Sequence, residues 1–101
     1  MFYNTLKAKD LVKTGEKKMD RLVLLQKDHS CLTIMALQKG EIIDTHTSEE
    51  DAAVYVLDGK IEIHFDAEKF EIDEGEILMF KKDKEHKVVA LKDSEFFVIK
   101  I

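Results

Sequence analysis

Two histidines carry most of the chemistry available to this chain. His46 closes the run GEIIDTH, which begins at Gly40, and His86 closes GEILMFKKDKEH, which begins at Gly75. Each run pairs a glycine with a short apolar stretch and then an imidazole, so the chain carries two similar half-patterns. A neutral imidazole offers one donor and one acceptor, and its charge changes near pH 6.5. Two such rings brought together can recognise a polar or anionic ligand, with or without a metal. The competing reading is a pair of hydrogen-bonded histidines with no ligand at all.

The remaining reactive side chains read more plainly. His64 alternates with Ile61 and Ile63, which puts it on the wet face of a strand. His29 falls in a polar turn. Cys31 begins an apolar run, where a free cysteine acts as a small hydrophobe, and a nucleophile would need a base beside it. The acidic patch Glu49, Glu50 and Asp51 reads as a solvated turn, although it is the nearest source of carboxylates for a cation. Residues 81–85 (KKDKE) mix both signs and read as a hydrated loop. Met35 and Met79 sit among apolar neighbours and read as core filler. Gln26 and Thr33 lie in strands that precede the first half-pattern and offer polar contacts to a pocket.

These groups must be positioned by short strands. Residues 21–26 (RLVLLQ), 31–37, 54–57, 60–65, 70–72, 77–80, 86–91 and 96–101 are β runs separated by polar turns. Ile61, Ile63 and Phe65 alternate with Glu62, His64 and Asp66, which gives one buried and one wet face. Asp58-Gly59 between two β runs predicts a tight hairpin with positive φ at both residues. No proline is present, so turns rely on Gly, Asp, Asn and Ser. Residues 1–20 lack this pattern. Leu6, Leu11 and Val12 support one short helical turn that Gly15 interrupts, and the segment reads as an N-terminal arm. The expected architecture is all-β, a sandwich or barrel over residues 21–101.

Composition narrows the function. The chain has 101 residues, 45% hydrophobic and 37% charged, with a net charge of -5. That describes a single globular domain. An acidic domain without a dense Lys/Arg cluster repels a phosphate backbone, so no nucleic-acid partner is expected. No apolar run reaches membrane-spanning length, and the N-terminus lacks the order of a signal peptide. The single cysteine excludes an internal disulfide. A cytoplasmic location is expected.

The glycine frame resembles the two half-motifs of the cupin superfamily, small β-barrels also called double-stranded β-helices or jelly rolls. The likeness covers residues 21–101 and is strongest to short, single-domain bacterial cupins of unassigned activity. Their first motif also reads His-Thr-Ser followed by Asp-Ala, here His46-Thr47-Ser48 and Asp51-Ala52. In metal cupins the first motif supplies His, His and Glu, and the second supplies His. By that resemblance His46 and His86 inherit ligand positions, while Ser48 and Ala52 replace the second His and the Glu. In the second motif Lys81, Asp83 and Ala90 replace Pro, Gly and Asn.

The resemblance implies a barrel pocket lined by His46, Ser48, Ala52, Val54, Val56 and His86, with the valines sharing the parity of Ala52. Alanine in place of glutamate makes that interior wider and more apolar. Two imidazoles alone are a weak metal site, because a catalytic zinc has three protein ligands and an iron triad adds a carboxylate. No cofactor is therefore expected. Any metal held at His46 and His86 would be a divalent transition ion such as Zn, Mn, Fe or Ni. The first reading is a metal-independent small-molecule-binding module, regulatory or sensory. The alternatives are a metal-dependent enzyme of dioxygenase or isomerase type, and a structural or partner-binding domain with an empty barrel. A homodimer is expected from cupin habit and from strand edges that need cover.

Overall fold

The computed structural model describes residues 3–101. A 3-10 turn, η1 (Ala8–Asp10), precedes nine strands. They are β1 (Met19–Lys27), β2 (Ser30–Leu37), β3 (Ile42–His46), β4 (Ala52–Asp58), β5 (Lys60–His64), β6 (Lys69–Asp73), β7 (Ile77–Phe80), β8 (His86–Ala90) and β9 (Ser94–Lys100). They form a five-stranded sheet, ordered β1-β2-β9-β4-β7, and a four-stranded sheet, ordered β3-β8-β5-β6. Every pairing is antiparallel. The two sheets face each other around one apolar interior, which is the all-β barrel expected from the sequence.

Period-two alternation builds that interior. Val54 and Val56 from β4, Ile61 and Ile63 from β5, Val88 and Ala90 from β8, and Phe96 from β9 are all buried. They pack with Leu37 and Ile72 in one cluster. Burying a side chain of this size contributes roughly 1.5–3 kcal/mol, so the cluster is the main source of stability. Glu62 and His64 fall on the opposite face of β5, as their parity predicts, and pair with each other.

A second cluster lies outside the barrel. Val12 is 2% exposed and packs with Ile34 and Ala36, flanked by Ala8, Leu11, Leu57 and Phe97. The N-terminal arm thus lies across the outer face of its own large sheet. Two bonds pin it there, from the Gln38 N–H to the Lys18 carbonyl at 2.9 Å and from the Lys13 N–H to the Asp20 carboxylate at 3.2 Å. The helical turn expected in the arm is η1. The first two residues of the arm lie outside the described residues.

Three expectations need correction. Asp58-Gly59 does not close a hairpin, because β4 belongs to the large sheet and β5 to the small one. The pair is a corner where the chain changes sheets, and only Gly59 has positive φ, at 91°. Glycine is required there. A Cβ at residue 59 would sit 2.4 Å from both the Asp93 carbonyl oxygen and the Ser94 Oγ. Strand β3 was absent from the β runs read in the sequence, since Ile42-Ile43 is followed by polar residues. Met79 is no core filler: it pairs with Ala53 on the outer face of an edge strand and is 73% exposed.

Candidate functional site

The site begins with a cross-strand pair. His46 at the end of β3 stands directly opposite His86 at the start of β8. A register shift between Ile43 and His46 brings the two into line. Their ring centroids are 4.2 Å apart, with planes tilted by 60°. His86 is buried and His46 is open to solvent, so the pair lies at the mouth of the barrel.

Each ring is held by a backbone carbonyl two residues before it. The His46 Nδ1 lies 2.9 Å from the Asp44 oxygen, and the His86 Nδ1 lies 2.8 Å from the Lys84 oxygen. A carbonyl only accepts, so Nδ1 carries the proton in both rings. Each neutral ring is left with a lone pair on Nε2. Burial pushes the His86 pKa below the ordinary 6.5. The bond to Lys84 opposes this, while the charges of His46 and Lys100 add to it. The neutral form of His86 is therefore the favoured one.

Aromatic rings form one wall. Phe80 stands edge-on to His86 at 4.8 Å, and Phe65 lies 6.0 Å from the same ring and 5.2 Å from Phe80. The same two phenylalanines, with Phe70 and Leu78, line a groove of about 650 Å³. Its rim carries Asp66, Glu68, Lys81 and Lys84.

The large sheet faces the imidazoles with a single row of residues. Register places Gln26, Cys31, Lys100, Ala52 and Phe80 side by side across all five strands. Lys100 shares the inward parity of Phe96 and Val98, both of which pack in the core. Its neighbours on either side, Cys31 and Ala52, are small. Lys100 is half-buried and takes part in no salt bridge among the described residues.

The other expected site residues divide. Ala52 is buried in the facing row, as described. Val54 and Val56 are 3% and 0% exposed inside the main core, where they fill the barrel below the mouth. Ser48 is buried too, but its Oγ donates to the Glu50 carbonyl at 2.9 Å and accepts from the Glu50 N–H at 3.2 Å. That hydroxyl closes its own turn. Asp51 leans the other way, accepting from the Lys82 N–H at 3.0 Å and pairing with Lys81 at 3.6 Å. With the bond from the Asp83 N–H to the Ser48 carbonyl at 2.8 Å, it ties the two loops of the mouth together. Asp83 has φ 65°, a left-handed conformation that aspartate tolerates, so it occupies the glycine position of the motif without breaking the turn. Thr33 is buried with its hydroxyl 4.0 Å from the Cys31 Sγ, and Gln26 is exposed at the end of the facing row.

Phe80 and Lys100 are not among the site residues expected from the sequence, and Phe65 is expected only as a buried-face residue. Counting parity from Phe96 through Val98 to Lys100 would have found the lysine.

Among the described residues, no three His, Cys, Asp or Glu side chains gather closely enough to hold an ion. The strand position facing the imidazoles offers a methyl group from Ala52 and a cation from Lys100. An ammonium beside two weak ligands opposes a dication.

A two-sheet antiparallel barrel with histidines at its mouth, one from each half-motif, defines a cupin-type protein. The family model for the cupin domain matches residues 33–101, and the chain belongs to that family. Solved structures agree on the fold. A cupin superfamily protein from Desulfitobacterium hafniense superposes with a TM-score of 0.90 at 20% identity, covering 100% of this chain and 93% of that one. A cupin 2 conserved barrel domain protein from Leptotrichia buccalis gives 0.84 at 28% identity, covering 92% of this chain and 45% of that one. An RmlC-like cupin protein from Desulfovibrio desulfuricans gives 0.84 at 16% identity, covering 97% and 95%. No protein of curated function matches the chain in sequence.

Proposed function

We propose that this chain is a metal-independent binding module that takes a small organic molecule at the barrel mouth, in a regulatory or sensory role. The observation that carries this reading is the row of the large sheet in which Ala52 stands at the motif's carboxylate position with Lys100 beside it. Two Nε2 lone pairs, one ammonium and the aromatic wall of Phe65 and Phe80 make a mixed polar and apolar surface of the kind that recognises small molecules. The working form is a homodimer in the cytoplasm. The outer face of the large sheet carries an apolar row, Leu25, Leu32, Ile99, Ala53 and Met79, whose ends Leu25 and Met79 are exposed, and this supports the dimer. The described residues contain no helix long and apolar enough to cross a membrane.

A thermal-shift screen of small metabolites in the presence of a chelator tests the binding reading. At least one organic compound should raise the melting temperature, and His86→Ala should abolish the shift. Stabilisation by transition-metal salts alone, lost in His46→Ala and His86→Ala, would favour a metal-dependent enzyme instead.

A further inference from the structure

The ligand class follows from the charges and lone pairs at the mouth. Lys100 is a half-buried residue whose ammonium has no carboxylate partner among the described residues. A partly buried cation without a counter-charge favours an anion beside it. Its register neighbours Cys31 and Ala52 are both small, so no large side chain flanks its stem within the sheet. Asp51, a carboxylate of the loop above, is engaged by Lys81 and Lys82.

The imidazoles ask for something different. Their Nδ1–H groups are already bonded to the Asp44 and Lys84 carbonyls. Only Nε2 acceptors remain, so the ligand group that meets them must donate a hydrogen bond. A carboxylate alone cannot do so, and a plain alcohol leaves Lys100 unpaired. Phe65 and Phe80 beside His86 suit a short carbon skeleton.

We infer that the mouth of this barrel binds a small hydroxycarboxylic acid, with its carboxylate on Lys100 and its hydroxyl donating to the Nε2 atoms of His46 and His86. The inference rests on the binding-module reading and adds the chemical class of the ligand. Lys100 acts as the specificity-determining residue, because it alone selects a hydroxy acid over the matching alcohol.

Three probes of nearly equal size separate the contributions. Lactate carries both groups, propionate only the carboxylate, and 1,2-propanediol only hydroxyls. Gluconate extends the skeleton, and inorganic phosphate reports unselective anion binding. Each is titrated into the isotope-labelled full chain with chelator present, while the side-chain resonances of His46 and His86 are followed by NMR. Lactate or gluconate should move both rings saturably and bind several-fold tighter than propionate, propanediol or phosphate. Lys100→Gln should weaken that binding about tenfold, the scale of one charge-assisted hydrogen bond. Lys100→Arg should stay within about threefold of the parent, because it keeps the charge. Backbone spectra that are unchanged away from the mouth confirm that both variants fold.

Propanediol binding as tightly as lactate would overturn the inference and leave the binding-module reading standing. Phosphate binding as tightly as lactate would overturn it as well. So would the absence of histidine shifts with every probe up to tens of millimolar, or an unaltered lactate affinity in Lys100→Gln. Shifts that appear only after the chelator is removed would overturn the metal-independent reading itself.

Discussion

His86 sits where burial and chemistry compete. Its ring is buried, its Nδ1–H is bonded to the Lys84 carbonyl, and its pKa is pushed below 6.5, first by desolvation. The folded state therefore takes up a proton less readily than the unfolded chain. Its contribution to stability is fully present above 6.5 and is lost as pH falls below that value toward the depressed folded pKa. Urea denaturation should show stability declining as the solution is acidified past 6.5, and His86→Gln should flatten that slope. An equally steep decline in the variant would assign the pH dependence to other groups. The histidines were legible in the sequence because each follows a motif glycine at family spacing. Lys100 lies outside both motifs, and only parity counted along β9 from Phe96 through Val98 places it on the inner face. The role of Ser48 was hidden for a different reason: a serine hydroxyl chooses between a pocket and its own turn only when the backbone is folded.

Among the elements, the β4–β5 corner shows most clearly where local pattern misleads. Asp-Gly between two β runs is the strongest short hairpin signal available. Here the chain uses the glycine to pass from one sheet to the other, against the backbone at Asp93 and Ser94. Lys60 and Ser94 then lock the corner, with the Lys60 N–H donating to the Ser94 Oγ at 3.0 Å. Gly59→Ala combines a left-handed backbone with a contact into a neighbouring carbonyl. It should destabilise the fold by about 2–4 kcal/mol, measured by chemical denaturation. Asn, which tolerates positive φ, should fare no better, because the clash is at Cβ. A loss below about 0.5 kcal/mol would mean that the corner relaxes freely. Seven of the nine strands were readable as apolar runs close to their observed limits, and β4 only in its central part. Strand β3 was not, since its last residues, Asp44, Thr45 and His46, are polar and face the mouth or solvent.

At the scale of the whole molecule, the two faces of the large sheet divide the labour. The inner face carries the row Gln26, Cys31, Lys100, Ala52 and Phe80. One step away, the outer face carries Leu25, Leu32, Ile99, Ala53 and Met79, apolar on every strand. The arm covers Ile34 and Ala36, while Leu25 at 66% and Met79 at 73% exposure remain open at the two edges. Uncovered apolar rows of this extent suit a protein interface. We propose that a second copy of the chain covers this row. Sedimentation equilibrium should find a dimer that Leu25→Glu with Met79→Glu converts to monomer without unfolding it, and a monomeric parent would contradict the proposal.

The central claim is that the mouth of this barrel accommodates an organic ligand and no metal. Elemental analysis of chain purified without added metal or chelator addresses it directly. Transition-metal content far below one ion per chain, unaltered by His46→Ala and His86→Ala, is the predicted result. One tightly held ion per chain that disappears in those variants would contradict it.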